Sequence, residues 1–186
     1  CLQPALAQLA DVATSCGADP EQCWTALARD ERERLRIFRH ALPETVNSAI
    51  AEIRRQHPEV TKLGTDMAVP DDGLEDIMRV YREKLGAEKL DYVIFGHIGN
   101  NHLHVNILPK NPEEYARGWE LYHEFAETVV AMGGSPAAEH GIGKLKTDFL
   151  VTLYGEEGVA QMRAVKTLFD PENRLGVGTL FGEMGA

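Results

Sequence analysis

The chain has 186 residues, of which 44% are hydrophobic and 26% are charged, and its formal net charge is -10. This length and balance suit a compact domain with an apolar core and argue against a disordered or fibrous class. The negative charge argues against nucleic-acid binding, which needs a basic surface, and no apolar run approaches the ~20 residues that span a bilayer.

The three cysteines, Cys1, Cys16 and Cys23, lie near the start of the chain and form no CxxC motif. An odd number without regular spacing argues against a disulfide framework, so we expect a reducing, cytoplasmic compartment. Position 1 is not methionine, and we interpret the sequence as a piece of a longer protein. Any association with a membrane would then come through that longer protein.

Helical spacing of apolar residues dominates the first part of the chain. Residues 3–56 are predicted to be mostly helical, with Asp19 capping a helix that begins at Pro20. Pro43 is expected to separate two further helices, because proline suits a first turn and disrupts a helix interior. The stretch 59–69 is predicted to be extended.

A helix and a hairpin follow. Asp71 or Asp72 is expected to cap the helix, which is predicted to stop at Gly86. Two strand-like runs, 90–97 and 102–108, are separated by a short turn that contains glycine and asparagine. This pattern predicts an antiparallel hairpin.

The second half of the chain is again mainly helical. A helix is predicted to follow Pro112 and to end at the glycine pair 133–134. A short extended piece, 135–138, comes next, and the last helix is predicted over 156–168. Helices that alternate with strands, one pair of which forms a hairpin, predict an α+β fold: an antiparallel sheet with helices packed on one face.

Four of the seven histidines lie in two short segments, GHIGNNHLHVN (96–106) and AEHGIGK (138–144). Because side chains alternate along a strand, His102, His104 and Asn106 share one face. The residues between them are apolar, so we expect those to enter the core. The polar set should then face a pocket or solvent.

The predicted hairpin brings His97 back towards His104, and Glu139 can add a carboxylate. Two imidazoles and one carboxylate make a three-ligand site for a divalent metal, with positions open for water or substrate. His140 adds a titratable base beside glycines that allow a ligand to approach the backbone closely. The alternative is that these are ordinary surface or hydrogen-bonded histidines.

Three segments occur in the order GHIGNNHLHVN, AEHGIGKLK and MRAVKTLFDPENRLGVG. They resemble the GHxGDGNLHxN, EHGIGxxK and MxxIKxxxDPxxxLNPG motifs of FAD-linked oxidases of the vanillyl-alcohol oxidase superfamily. Weaker similarity extends back to FRHALPETVN and TDMAVP. The resemblance implies that residues 1–186 form a single ferredoxin-like C-terminal domain that holds substrate and metal, with the N-terminal FAD-binding domain absent from this sequence.

The resemblance also implies roles for residues at matching positions. The metal ligands, for a zinc-like ion, would be His97, His104 and Glu139. His140 matches the catalytic base, and Asn106 matches a polar residue beside the substrate. Arg39 lies where the family has an arginine that holds the substrate carboxylate. Lys146 matches a lysine for which we assign no role.

The sequence departs from the family pattern at several positions. Asn100, Asn101 and His102 replace Asp-Gly-Asn, so the turn is altered and carries an extra imidazole. Gly64 stands where some members have a substrate-binding lysine, and Lys62 lies two positions away. These changes affect the choice of substrate more than the class of enzyme.

The resemblance implies a flavin-dependent dehydrogenase that oxidises a D-2-hydroxyacid (of the D-lactate, glycolate or D-2-hydroxyglutarate type) to the 2-keto acid by hydride transfer to FAD. Electrons would leave to a quinone, cytochrome or flavoprotein acceptor. The isolated chain is expected to bind metal without turnover. The alternatives that stay open are a metal-dependent hydrolase, a non-catalytic metal-binding or interaction module, and a domain whose altered turn has lost the metal.

Overall fold

The computed structural model describes residues 2–182 of the chain. Two compact units divide it, the first running up to Thr45 and the second beginning at Val46. The expectation that residues 1–186 form a single domain stays a prediction. Among the described helices, none combines the length and the apolar character that crossing a bilayer requires. Cys16 and Cys23 are free and exposed, and Cys1 lies outside the described residues.

Helices make up most of the first unit, as the sequence predicts. Helix α1 spans Leu2–Ser15, and α2 spans Arg29–Gln56 and so continues into the second unit. The prediction of a helix that begins at Pro20 is wrong in length, because only a 3-10 turn over Pro20–Gln22 forms there. Asp19 does cap this turn, since its carboxylate accepts from the Glu21 amide at 3.0 Å. The residues that follow, cysteine, tryptophan and threonine, have weak helix propensity.

Pro43 does not end a helix, contrary to the prediction, because α2 runs through it without interruption. A proline in a helix interior removes one N–H donor and costs about 3 kcal/mol. The surrounding turns are rich in arginine, glutamate and alanine, which favour helix. Neighbouring ion pairs such as Glu33–Arg36 and Glu52–Arg55 add stabilising contacts along the same helix.

An antiparallel sheet centred on β4 (His102–Ile107) forms the base of the second unit. Strands β1 (Leu63–Gly64) and β2 (Met67–Ala68) pair with one edge of β4, and β3 (Tyr92–His97) pairs with the other. A short 3-10 turn over Ile98–Asn100 links β3 to β4. The predicted hairpin is therefore confirmed, and the predicted extended stretch supplies the two short strands.

Helices cover the apolar face of this sheet. Leu103, Val105 and Ile107 are buried and belong to one core cluster with residues of α3 (Leu74–Ala87) and α4 (Pro112–Ala131). Contact with α4 is close: a Cβ added to its Gly118 would lie 2.7 Å from Leu63 Cδ1 and 3.4 Å from Ile107 Cγ2. The predicted α+β layer, with helices packed on one face of the sheet, is confirmed.

Helix α3 begins without a side-chain cap, so the predicted capping by Asp71 or Asp72 is wrong. Gly73 precedes the helix, and no side chain makes a capping hydrogen bond there. The carboxylate of Asp71 instead accepts a hydrogen bond from the Asn101 side chain at 3.3 Å. A contact formed between distant residues thus replaces the local one that the sequence suggests.

The last helix, α5, spans Thr147–Phe169 and so begins earlier than predicted. Gly155 interrupts it with non-helical backbone (φ 68°, ψ 169°), a conformation that glycine adopts readily. The predicted helix over 156–168 corresponds to the part after this interruption. The buried residues Phe149 and Leu150 lie in the earlier part, which the sequence prediction missed.

Candidate metal centre

The face of β4 opposite the core carries the predicted site residues. His102, His104 and Asn106 alternate with the core residues of the strand, and the register places His97 directly opposite His102. This face is less open than expected, because His102 is only 6% exposed and Asn106 only 1%. This part of the site therefore lies beneath other parts of the second unit, whereas the side chains of His97 and Glu139 are 41% and 52% exposed.

Backbone hydrogen bonds attach the segment after α4 to β2 and to the residues just before this strand. Ser135 and Ala68 exchange two, of 2.9 and 3.0 Å, and the Ala138 amide donates to the Asp66 carbonyl at 2.8 Å. The short extended piece predicted over 135–138 thus lies beside β2. Its attachment carries the next residue, Glu139, to the histidines of β4.

The Glu139 carboxylate lies among three imidazoles. Its Oε2 is 3.7 Å from His97 Nε2, 3.8 Å from His102 Nδ1 and 3.9 Å from His104 Nε2. One donor atom from each of the four residues lies within 4.8 Å of the others. The structure therefore brings together the three predicted ligands and adds His102, the extra imidazole of the altered turn.

The altered turn retains a conformation that closes the hairpin. Asn101 has left-handed backbone angles (φ 49°, ψ 31°), which asparagine tolerates better than most residues. Its side chain donates to the Pro70 carbonyl at 3.3 Å. The departure from the family motif therefore leaves His97 and His102 paired across the two strands.

A backbone carbonyl fixes the tautomer of His104. The ring Nδ1 lies 2.9 Å from Thr65 O, which can only accept, so Nδ1 carries the proton and Nε2 keeps its lone pair. Thr65 is held in place because its amide donates to Val105 O and its hydroxyl accepts from Val105 N, both at 2.9 Å. Burial lowers the pKa of His104 below its ordinary value, although the bond to Thr65 alone would raise it. This shift favours the neutral ring.

Asp66 connects the sheet to the loop that carries Glu139. Its side chain is fully buried, and its Oδ1 accepts from His102 Nε2 at 2.9 Å and from the Glu139 amide at 3.1 Å. Its Oδ2 accepts from the His140 amide at 2.9 Å and from Lys146 Nζ at 3.1 Å. A carboxylate has about four lone-pair positions, so these donors leave none for a metal.

The charge state of Asp66 determines the tautomer of His102. Burial would raise the pKa of Asp66, but the hydrogen bond from the His140 amide and the ammonium of Lys146 together hold it below its ordinary value. The carboxylate is therefore ionised and can only accept. His102 must donate to it from Nε2, and in the neutral ring this leaves the lone pair of Nδ1 on the side of Glu139.

Asp66 was not among the predicted site residues, and Lys146 had no predicted role. The signal for Asp66 is a single acidic residue within the extended, largely apolar stretch TDMAV. A charge that enters a core needs partners, because an unpaired buried charge is costly. The residue type alone does not reveal which partners these are.

The other predicted site residues differ in their surroundings. The side chain of His140 is 62% exposed, its Nε2 is 4.0 Å from Glu139 Oε2, and its ring stacks on His104 with centroids 5.3 Å apart. The amide of buried Asn106 donates to the His104 carbonyl at 3.3 Å. Arg39 is exposed on α2, within the first unit, and its predicted role stays a prediction.

The donor set fits a divalent first-row transition ion. Imidazole and carboxylate groups suit zinc and its neighbours, whereas calcium and magnesium prefer oxygen ligands alone. The lone pairs of His102 and His104 both lie on the side of an anionic carboxylate oxygen. These negatively charged atoms repel each other when no ion is bound. A cation between them would attract each of them and so stabilise the arrangement.

Known proteins are similar to this chain over much of its length. The glycolate oxidase subunit GlcD of Bacillus subtilis (strain 168) is 29% identical over 145 residues, or 77% of this chain and 30% of that protein. A mitochondrial D-lactate dehydrogenase [cytochrome] of Kluyveromyces lactis is 29% identical over 154 residues, or 83% and 26%. A D-2-hydroxyglutarate dehydrogenase of Stutzerimonas stutzeri (strain A1501) is 36% identical over 95 residues, or 49% and 20%.

This chain therefore spans no more than 30% of the length of these relatives. The sequence profile of the family described as "FAD linked oxidases, C-terminal domain" matches residues 3–180, which is nearly the whole chain and includes residues of both units. The chain belongs to the FAD-linked oxidases and represents their C-terminal domain.

Proposed function

We propose that this chain is the metal- and substrate-holding part of a flavin-dependent dehydrogenase that oxidises a D-2-hydroxyacid to the 2-keto acid. The observation that carries the proposal is the convergence of imidazole nitrogens on Glu139 Oε2, at 3.7 to 3.9 Å. The names of the relatives, which act on D-lactate, glycolate and D-2-hydroxyglutarate, support the substrate class. The choice among these substrates stays open.

The proposed ligands of the ion are His97, His104 and Glu139, and the donor set supports zinc or a similar first-row ion. A divalent ion bound there would act as a Lewis acid on the carboxylate and 2-hydroxyl oxygens of the substrate and lower the pKa of the hydroxyl. The bond from His104 to Thr65 keeps Nε2 available as a donor to the ion.

His140 is the proposed base that takes the proton of the 2-hydroxyl group. Its amide is fixed by Asp66, and its ring rests on His104, so the imidazole is held beside Glu139. The exposed ring can accept the proton at Nε2 and later release it to solvent. FAD, bound mainly by the rest of the longer protein, would supply the acceptor for the C2 hydride.

Arg39 and Asn106 are the proposed substrate-binding residues. The guanidinium of Arg39 would pair with a substrate carboxylate through two parallel hydrogen bonds. Asn106, buried beside Gly64, would contribute its amide group. Electrons would then pass to a quinone, a cytochrome or another flavoprotein, and the name of the Kluyveromyces lactis relative supports a cytochrome. The cytoplasm is the proposed compartment.

Metal content tests the site directly. The purified chain is loaded with Zn²⁺ and dialysed, and bound zinc is measured for the wild type, His97→Ala, His104→Ala and the control His123→Ala. His123 is an exposed residue of α4 outside the cluster. We expect stoichiometric zinc in the wild type and the control, and loss of zinc in the two cluster variants. A wild type without zinc would contradict the proposed metal centre.

Turnover separates the dehydrogenase from a hydrolase that uses the same ligands. With FAD, a redox dye and each of D-lactate, glycolate and D-2-hydroxyglutarate in turn, the isolated chain should give no dye reduction, whereas the longer protein with its flavin-binding domain should reduce the dye with at least one of the three. Zinc-dependent hydrolysis by the isolated chain would favour the hydrolase, because that reaction needs no flavin. Dye reduction by the isolated chain would contradict the proposal that FAD is bound mainly by the rest of the longer protein.

A further inference from the structure

We propose that His102 is a fourth protein ligand of the metal, and that it binds through Nδ1. This inference rests on the metal centre of the proposed function and extends it beyond the three ligands that the family motifs imply. His102 stands where the family motif has asparagine, so the proposal concerns a property of this chain.

The hydrogen bonds of His102 leave one ring nitrogen available. Its Nε2 donates to Oδ1 of Asp66 at 2.9 Å, because this carboxylate also accepts from two backbone amides and from Lys146 and so acts as an acceptor throughout. Its Nδ1 therefore carries the lone pair, and it lies 3.8 Å from Glu139 Oε2. Within residues 2–182, no protein group donates a hydrogen bond to this nitrogen. A carboxylate that receives a proton from one imidazole nitrogen while the other binds a metal is a recurrent arrangement in metal sites.

His102 Nδ1 lies 3.8 Å from Glu139 Oε2, which is too long for a hydrogen bond. The same separation suits two ligands of one ion. With bonds of ~2.0–2.1 Å to zinc, two ligand atoms in a tetrahedral shell lie about 3.4 Å apart. The three distances from Glu139 Oε2, from 3.7 to 3.9 Å, exceed this by a few tenths of an ångström.

Burial makes His102 the most rigidly held of the three imidazoles. Its side chain is 7% exposed, compared with 14% for His104 and 41% for His97. A rigid imidazole that already faces the site loses little conformational entropy on binding. We therefore expect His102 to contribute strongly to affinity, although the family motif does not contain it.

A fourth protein ligand changes what the centre offers to a substrate. Three imidazoles and one carboxylate complete a tetrahedral shell. A 2-hydroxyacid that binds through two oxygens would then raise the number of donors to six, a number that cobalt, nickel and iron accept more readily than zinc, which is mostly bound by four or five donors. The extra imidazole thus bears on which metal supports the reaction.

Metal titration of the 186-residue chain tests the inference. Co²⁺ is added to the metal-free wild type, His102→Asn, His97→Asn and the control His123→Asn, and affinity and the visible absorption spectrum are recorded. We expect His102→Asn to bind more weakly by at least the ~10–100-fold that loss of an orienting partner costs, and to change the spectrum. His123→Asn should behave as the wild type does.

The outcomes separate this inference from the proposed function. If the wild type binds no metal, both are overturned. If His97→Asn loses binding but His102→Asn keeps the affinity and spectrum of the wild type, only the fourth ligand is overturned. Circular dichroism of the metal-free variants shows whether each is folded.

A measurement on the wild type avoids dependence on the folding of any variant. Nitrogen-15 NMR of the histidine rings, with and without Zn²⁺, reads each ring nitrogen separately. We expect the His102 Nδ1 resonance to shift on binding while Nε2 stays protonated by its bond to Asp66. Shifts confined to His97 and His104 would overturn the proposal.

Discussion

At the scale of single residues, Asp66 holds the candidate site together. It is fully buried, and it joins a ring nitrogen of β4 to two amides and one ammonium of the loop. Removing the charge leaves Lys146, only 14% exposed, without its ionic partner. Breaking a buried pair in this way typically costs about 3–5 kcal/mol. We expect Asp66→Asn to lose stability of that order in urea unfolding of the metal-free chain.

The matched control for this prediction is Asp91→Asn. Asp91 pairs with Lys110 at 2.7 Å, but both side chains are about 60% exposed. Exposed pairs contribute roughly 0–1 kcal/mol, so the same chemical change should have little effect there. If the two variants lost equal stability, Asp66 would not have the role that its hydrogen bonds indicate.

The same residues show how far local patterns predict a site. Alternation along a strand and the position of one turn are enough to place His97 and His104 on one face. Asp66 could not be found in this way, because its four partners lie between 36 and 80 positions away in the sequence. Such contacts exist only after the loop has docked on the sheet. Alternation also places His102 on this face, but the sequence did not assign it as a ligand.

At the scale of elements, the end of α5 depends on one carboxylate. Asp170 accepts hydrogen bonds from Lys166 in the last turn of the helix and from the amides of Arg174 and Leu175, at 2.8 and 2.9 Å. The bond to Lys166 and then the amide bonds lower the pKa of Asp170 to about 2. The folded chain therefore holds the ionised form more strongly than the unfolded chain does.

This difference in pKa predicts how stability changes with pH. An unfolded aspartate has a pKa of ~3.9, so between about pH 4 and the folded value the unfolded chain binds more protons. The contribution of Asp170 is complete above the unfolded pKa and is lost as the pH falls towards the folded value, given as about 2. We expect the stability difference between wild type and Asp170→Asn to be constant above about pH 5 and to shrink below about pH 4.

Urea unfolding at a series of pH values measures this difference. Asp72→Asn, which removes an exposed carboxylate, controls for the change in net charge. Carbon-13 NMR of the Asp170 carboxyl carbon gives the titration of the folded chain directly. A midpoint near the ordinary value of an aspartate would contradict the prediction.

Element boundaries show which local signals can be trusted. The hairpin was predictable because both strands and the turn lie within one short stretch of sequence. The break at Pro43 was not, because one missing donor in α2 competes with favourable residues on both sides. The caps at Asp71 and Asp72 failed for another reason, since Asp71 finds a partner in Asn101, on the turn between β3 and β4.

At the scale of the whole molecule, the apolar core belongs to the second unit. Every described hydrophobic residue that is buried lies at or after Val46, and the cluster of candidate ligands lies between His97 and Glu139. The first unit carries Arg39, which has only a proposed role with substrate. Folding and metal binding should therefore depend on the second unit, whereas any contribution of Arg39 to substrate binding should depend on the first.

A shortened chain that begins at Pro43 tests this division. Proline suits the first turn of a helix, so the remaining part of α2 keeps a favourable start, and Val46 and Ile50 still anchor it in the core. We expect cooperative urea unfolding, stability within about 1 kcal/mol of the full chain, and unchanged zinc affinity. A cut of similar length before Thr147 removes the buried residues Phe149 and Leu150, and it should abolish cooperative unfolding. If the chain that begins at Pro43 lost its cooperative transition or its zinc, the first unit would contribute to the fold in a way that its burial pattern does not show.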